Sequence, residues 1–410
     1  MNKGYTNYWS KLKKQLRKAY YKRLFKKDGI NLVGYFSIVA SVAEVSRFFI
    51  AKLRESEITL PYSLYNIMSY SHAELNPDEL KKYSPLFIKK PPYWASIVFV
   101  NADAVPIMTK FHPHTFKQHY NIGVFWWEFN DYFFFPETFE YIHEVVVFSD
   151  FIATAIRKDA PPDVRVSTLP FPFVPNWKIT TAPVQMRERY GIDKNEFVFF
   201  FNFDFTSILE RKNPGGLIKA FGQAFTNQTD VRLVIKTIYS GVVLDKFQEF
   251  MLVVEALDNK DRILIINENL TRNEMTSLIN AADVYVSLHR SEGLGLGMLE
   301  AMSLGKPVIG TGFGGNMEFM NKDVAFVVDY KLVPLEKDAL PYRKGWLWAE
   351  PDTEQAAGYM KTLYDDRALA KAIGTKAQNF IQERYSAPNF TKAVHEWLTN
   401  RPQKIVDLNQ

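Results

Sequence analysis

The chain of 410 residues is 47% hydrophobic and 23% charged, a composition that suits two substantial globular domains and excludes a disordered or fibrous chain. It contains no cysteine, which excludes a disulfide framework and a thiolate metal site and fits a reducing cytoplasm. The net charge of +5 is unevenly held: residues 1–28 carry ten Lys/Arg and one acid, leaving the rest of the chain at −4. No apolar run reaches the ~18 residues of a membrane-spanning helix, and the charged N-terminus does not read as a secretory signal.

Residues 5–27 lack Pro and Gly and are predicted to be helical. Tyr5, Trp9, Leu12, Leu16, Tyr20 and Leu24 recur every three or four residues as one apolar stripe, and nine Lys/Arg fill the remaining surface. A basic amphipathic helix of this kind suits an anionic membrane surface. Docking on its own domain and contact with nucleic acid are the alternatives; we take the membrane surface as the partner and expect no nucleic acid.

Asp28-Gly29 ends that segment. Ile30–Ile38 reads as a first strand, Ala43–Glu55 as a helix, and Ala95–Val100, Tyr120–Trp126 and Glu144–Phe148 as further strands. Strand alternating with helix predicts an α/β domain with a parallel sheet. Residues 56–94, rich in proline, are expected to form loops and short helices. After the proline-rich Pro161–Pro183, taken as a linker, a second series begins. Strands are predicted at Phe197–Asn202, Arg232–Lys236 and Arg262–Ile266, and helices at Pro214–Phe225, Lys246–Leu257 and Arg272–Ala281. Two facing doubly wound domains follow, with ligands in the cleft outside the carboxyl ends of the strands. The expected divisions are a basic arm over 1–28, a first domain over 29–180, a second over 181–375 and a helical terminus over 376–410.

The stretch Ser291–Asn316 (SEGLGLGMLEAMSLGKPVIGTGFGGN) concentrates the chemistry. A buried strand, Asp283–His289, feeds the turn Glu292-Gly293-Leu294-Gly295-Leu296-Gly297, and a helix opens at Met298. Free backbone N–H groups and a helix N-terminus favour phosphate. Glu292 and Glu300 repel phosphate but accept hydrogen bonds from paired hydroxyls, such as those of a sugar or a ribose. Upstream, Arg211 and Lys212 precede a helix capped by Asn213 with Pro214 in its first turn, a place from which two cations would neutralise a diphosphate. Lys236, at a strand end, is a further cation for this role. Trp126, Trp127 and Glu128 stand together at another strand end, where aromatic faces and a carboxylate would suit a sugar. His289 reads as a structural residue. No D-x-D, H-E-x-x-H, P-loop or G-x-S-x-G occurs.

The Glu292…Glu300 pair, with its strand, glycines and following LGKPVIGT, resembles the E-x7-E motif of the retaining family-4 (group 1) glycosyltransferases, which have the GT-B fold. Ser37–Arg47, Asn101-Ala102-Asp103 and Asn121–Asn130 resemble a bacterial subgroup, Gly312–Glu318 resembles the family's donor loop, and Tyr330–Val333 and Trp348–Asp352 extend the resemblance. The resemblance implies two Rossmann-like domains with a C-terminal helix crossing back to the first. It implies a retaining, metal-independent hexosyltransferase that moves a sugar from a nucleoside diphosphate to a hydroxyl of a glycan or lipid-linked acceptor in bacterial surface polysaccharide or glycoconjugate synthesis. The nucleotide sugar is a substrate, and no cofactor or metal is expected. On this basis Glu292, Arg211, Lys212 and Glu128 are the catalytic candidates. Glu300, Gly293, Leu294, Gly295, Leu296, Lys236 and Asn316 are the donor-binding candidates. The expected location is the cytoplasm, on the inner face of the membrane through the arm. Departures are Ser207 where the family places an Arg, and Ser41 and Ala43 where it places glycines. They keep open a non-catalytic sugar-nucleotide-binding subunit, beside a phosphorylase or hydrolase on the same fold.

Overall fold

Residues 29–38, 41–58, 60–68, 75, 77–117, 119–132, 135–175, 178–238 and 243–399 are described by a computed structural model. The basic arm, residues 1–28, lies outside the described residues. Two six-stranded sheets organise the rest, each parallel throughout. The first holds β1 (Ile30–Gly34), β2 (Tyr62–Asn66), β3 (Ala95–Phe99), β4 (Tyr120–Val124), β5 (Glu144–Val147) and β6 (Arg165–Thr168), in the order β2-β1-β3-β4-β5-β6. The second holds β7 (Phe197–Asp204), β8 (Val231–Ile238), β9 (Ile263–Asn267), β10 (Val284–Ser287), β11 (Val308–Thr311) and β12 (Phe326–Val328), in the order β12-β11-β10-β7-β8-β9. The α/β, GT-B architecture expected from the sequence is therefore the one observed.

Central strands covered by helices on both faces read as continuous apolar runs rather than as alternation. The run Phe197–Phe201 on β7 is buried along its whole length. Phe199 lies 5.4 Å from Phe225 and 6.4 Å from Phe221 of the helix Pro214–Ala224, ring centroid to centroid. Buried phenylalanines such as these fill the layers between sheet and helices.

Several expectations need correction. β2 lies inside residues 56–94, which were read as loops and short helices. β6 lies inside Pro161–Pro183, read as linker. Both are edge strands, and β6 is only half-buried, so neither carries the apolar signal of a central strand. The first strand stops at Gly34 rather than Ile38, and Phe36 N donates to the Asn66 side chain at 2.9 Å instead of to a strand carbonyl. The helix after the glycine turn begins at Leu296, two residues earlier than read, since Gly295 at φ 82° caps it.

Three helices end the described chain, Thr353–Asp365, Arg367–Arg384 and Ala387–Thr399. The last returns to the first sheet's layer. Phe390 meets Phe49 edge-on at 5.9 Å, and Lys52 Nζ donates to the Tyr385 carbonyl at 2.9 Å. Trp397 Nε1 donates to Glu144 at 2.6 Å, satisfying a carboxylate that is fully buried. A second link between the halves is an antiparallel hairpin, β13 (Tyr330–Pro334) with β14 (Leu347–Pro351). Its distal residues Leu335 and Tyr342 are buried in the same cluster as Phe125, Trp127 and Phe129 of the first domain. Among the described residues no helix is long and apolar enough to cross a membrane.

Candidate active site

In the second sheet the strand order reverses between β7 and β10, the point at which ligands of such sheets bind outside the carboxyl ends of the strands. The connection after β7 carries Arg211 and Lys212 on the one-turn helix Leu209–Lys212. The connection after β10 carries Glu292. Asn213 ties the two together. It adopts the left-handed conformation, φ 52° and ψ 47°, which asparagine tolerates. Its side chain caps the next helix by accepting from Gly216 N at 3.1 Å, and its Nδ2 donates to the Leu288 carbonyl at 2.8 Å. Arg290 N donates to the Arg211 carbonyl at 2.8 Å, so the loops are joined along their length.

Four candidates meet here. Lys212 Nζ is in direct contact with Glu292. Arg211 lies 3.5 Å from the other oxygen of Glu292 and 4.0 Å from Glu128 of the first domain, and donates to the Ser291 carbonyl at 2.9 Å. Arg211 is buried, so its charge requires these partners. Burial alone would raise the Glu292 carboxyl, but Lys212 and then Arg211 outweigh it and hold it down at about 2. Burial works against the Arg211 charge, and Glu292 and Glu128 together reverse that and raise it. The centre is therefore a network of two basic side chains and two carboxyl groups drawn from both domains. Contacts across the cleft fix it: Ser291 Oγ donates to the Glu128 carbonyl, and Ser149 Oγ to the Gly293 carbonyl at 2.9 Å.

Glu300 belongs to a second cluster. The helix Leu296–Ser303 carries it inward, 5% exposed, onto the Arg272 guanidinium. Arg272 is placed by a capping box, in which Thr271 Oγ1 accepts from Glu274 N at 3.3 Å and Glu274 accepts from Thr271 N at 2.9 Å. Burial raises the Glu300 carboxyl against the opposing pull of Arg272. Glu44 of the first domain acts on both through its charge, and is itself held by Arg47 at 2.7 Å. Arg47 also donates to the Ile38 carbonyl at 2.9 Å, which pins the connection after β1.

The remaining candidates have different surroundings. Lys236 faces Asp204 and Glu268 rather than Glu292; burial pushes its ammonium down to about 8, with the two acids opposing. Asn316 is fully buried, its Nδ2 donating to the Thr311 carbonyl at 2.9 Å and its Oδ1 lying 3.2 Å from His289 Nε2. It shapes the loop in this conformation. His289 is buried between Ser287, Phe313 and Asn316, and burial lowers its pKa, in keeping with a structural role. In the turn, Leu294 is buried and Leu296 half-buried. Gly293 approaches the first domain so closely that a Cβ would lie 2.4 Å from the Trp127 carbonyl oxygen.

The aromatic platform expected at Trp126-Trp127 is not formed. Trp127 is 4% exposed among Tyr132, Tyr342 and Trp346, and Trp126 lies against Phe148 and Phe171. Only Glu128 of that segment joins the site. Two members went unread in the sequence. Arg272 had a local signal, a first-turn cation behind a capping box. Tyr342, which donates to Glu128 at 2.7 Å, had none, because the hairpin brings it from over two hundred positions away.

Residues 185–380 match the family described as Glycosyl transferases group 1. N-acetyl-alpha-D-glucosaminyl L-malate synthase of Bacillus anthracis is 24% identical over 201 residues, 49% of this chain and 45% of that protein. D-inositol 3-phosphate glycosyltransferase of Pseudarthrobacter chlorophenolicus is 28% identical over 234 residues, 56% of this chain and 47% of that protein. The matches thus cover about half of each of these relatives. Among solved structures, Anabaena Alr3699/HepE in complex with UDP and glucose superposes with a TM-score of 0.64 at 15% identity, over 91% of this chain and 100% of that one. Sucrose-phosphate synthase from Thermosynechococcus elongatus gives 0.61 at 13% identity, over 91% and 98%. At these identities the structures speak for the fold, and the sequence match speaks for the second half. The chain thus has the GT-B fold, and its residues 185–380 match the group 1 glycosyltransferase family.

Proposed function

We propose that the protein is a nucleotide-sugar-dependent glycosyltransferase. It transfers a hexose-type sugar to a hydroxyl of a glycan or glycolipid, with retention, in bacterial surface polysaccharide or glycoconjugate synthesis. The observation that carries this is the meeting of Arg211, Lys212 and Glu292 at the strand-order reversal of the second sheet, with Glu128 across the cleft. The UDP and glucose named for the Anabaena structure are in keeping with a diphosphate donor. In this reading Lys212 and Arg211 turn from Glu292 toward the departing diphosphate, where charge grows as the glycosidic bond breaks. Glu292, released from Lys212, is free for the sugar, and Glu300 exchanges part of its contact with Arg272 for the ribose hydroxyls. The acceptor oxygen attacks on the face from which the diphosphate leaves, and a diphosphate oxygen takes its proton. No cofactor is needed, and the cytoplasm, where sugar nucleotides are made, is the proposed location.

A screen of sugar nucleotides by thermal shift, followed by turnover of the best binder, tests this. A nucleoside diphosphate at a hundred times its Kd should stabilise the fold by about 2.7 kcal/mol. With cations in place of a metal, EDTA should lower turnover no more than a few-fold. Abolition by EDTA that Mg²⁺ restores would overturn metal independence, and no thermal shift with any nucleotide would overturn the donor site.

One observation favours a second reading, a non-catalytic sugar-nucleotide-binding subunit. Ser207 stands where the family places a cation, and its carbonyl instead accepts from Lys246 at 2.9 Å. Binding without any transfer or donor hydrolysis would decide for it.

A further inference from the structure

The β13–β14 hairpin is rooted in the second domain and ends in the first. At its root Ala349 N donates to the Arg290 carbonyl at 2.9 Å, and Arg290 Nε to Glu350 at 2.6 Å, with the guanidinium 5.1 Å over the Trp348 ring. Arg290 follows β10 and directly precedes the Ser291-Glu292 turn, so hairpin and turn share one anchor. At the far end the Tyr342 ring stacks on Phe129 at 4.1 Å and meets Trp127 edge-on at 5.5 Å. Phe129 and Trp127 are the two neighbours of Glu128 in the chain. The ring is thus seated on both sides of the carboxylate it serves, and its hydroxyl donates to Glu128 Oε2 at 2.7 Å.

The consequence for Glu128 is orientation. It sits on a connection after β4, and its side chain is 31% exposed while Arg211 beside it is 7% exposed. A carboxylate in that position samples several rotamers unless something holds it. Tyr342 holds one oxygen, and Arg211 lies 4.0 Å from the other. The second domain therefore supplies both groups that fix a first-domain carboxylate, one of them a cation of the donor cluster.

We infer that Tyr342 is a positioning residue, delivered by the hairpin, that aims Glu128 at the acceptor hydroxyl and makes acceptor alignment depend on the closed arrangement of the two domains. The inference rests on the glycosyl-transfer reading above and adds to it a residue and a specificity element in a segment outside the donor motif. A fixed carboxylate oxygen accepts a hydrogen bond from a sugar hydroxyl in one direction only, so it selects the acceptor's orientation. Water, which needs no such alignment, is indifferent to it.

Tyr342→Phe tests this, because it keeps the ring on Phe129 and removes only the hydroxyl. The probe is the nucleotide sugar with the largest thermal shift, with an alkyl glucoside as acceptor and, separately, with water alone. The variant should lose about tenfold in kcat/KM for the glucoside. Its hydrolysis of the donor, its affinity for the nucleoside diphosphate and its melting temperature should stay within about twofold or a degree of wild type. In a Glu128→Ala background the same change should cost nothing further, since the hydroxyl then has no carboxylate to hold. Equal glucoside kinetics in wild type and Tyr342→Phe would overturn the positioning role, as would losses that multiply in the double variant. A wild type that neither transfers nor hydrolyses any stabilising donor would instead overturn the transfer reading, and this inference with it.

Discussion

Glu292 and Glu300 lie eight residues apart in the chain but in opposite electrostatic settings. Glu292 faces two cations that hold its carboxyl at about 2, whereas burial raises Glu300 despite Arg272. Their proposed tasks differ accordingly. A ribose contact exists before and during the reaction, so Glu300→Gln should appear mainly as weaker nucleotide binding, by roughly 1.5–3 kcal/mol. Glu292, nearer the developing positive charge, should matter more in the transition state. Glu292→Gln should bind diphosphate almost as wild type yet turn over at least about tenfold slower, a difference of ~1.4 kcal/mol. Calorimetric affinity beside turnover separates the two, and proportional losses in Glu292→Gln would contradict its assigned role. The same residue has a pH signature. Its folded pKa is depressed from 4.5 to about 2, so its contribution to stability is full above 4.5 and lost as pH falls toward 2. That contribution is on the order of 3 kcal/mol. Denaturant melts of wild type and Glu292→Gln should differ most at neutral pH and converge as pH falls to about 2.

At the scale of elements, the turn Glu292–Gly297 is a joint between the domains. A Cβ at Gly293 would lie 2.4 Å from the Trp127 carbonyl oxygen, a backbone atom that cannot step aside alone. Gly293→Ala should fold, because its strain is relieved by parting the cleft rather than by unravelling a core. Small-angle scattering should show a larger radius of gyration than wild type, and turnover should drop at least tenfold as Glu128 leaves Arg211. An unchanged radius with unchanged turnover would show that the closed joint is dispensable. These elements were unequally legible in the sequence. β7 and β10 announce themselves as buried apolar runs, and the glycine turn with its two glutamates marks the site between them. β2 and β6 do not, because an edge strand needs only one covered neighbour and little apolar content. The hairpin was invisible as an element, since Tyr330, Lys331 and Leu332 are exposed on a two-stranded ribbon and leave no buried face to read. Trp126 and Trp127 misled for the converse reason: composition marks them as aromatic, but only the fold decides that they face the core. Arg211, Lys212 and Glu292 could be named singly, yet their contact depends on the adjacency of β7 and β10, which no local pattern states.

At the scale of the whole molecule, the returning helix Ala387–Thr399 and the hairpin that carries Tyr342 both span the domains. Charge is divided between globule and arm. Residues 29–410 carry a net −4, while residues 1–28 carry ten Lys/Arg, one acid and Trp9. An anionic bilayer therefore repels the globule weakly and attracts the arm. Each basic residue near such a surface contributes on the order of 1 kcal/mol, and the attraction decays within a Debye length of about 8 Å at physiological salt. With half of the arm's cations engaged that amounts to about 5 kcal/mol, and we propose that the arm brings the site to lipid-linked acceptors. Co-sedimentation with vesicles containing phosphatidylserine should be strong at low salt and fall steeply by about 0.5 M. It should be weak with phosphatidylcholine alone. Deleting residues 1–28 should abolish binding while leaving the melting temperature and the affinity for a nucleoside diphosphate unchanged, because the donor cluster draws on residues from 128 onward. If the truncated protein bound anionic vesicles as well as the full chain, attachment would have to come from the globule, against its own net charge. If the truncation lowered the melting temperature by several degrees, the arm's stripe from Tyr5 to Leu24 would be packing on the protein instead of on the membrane.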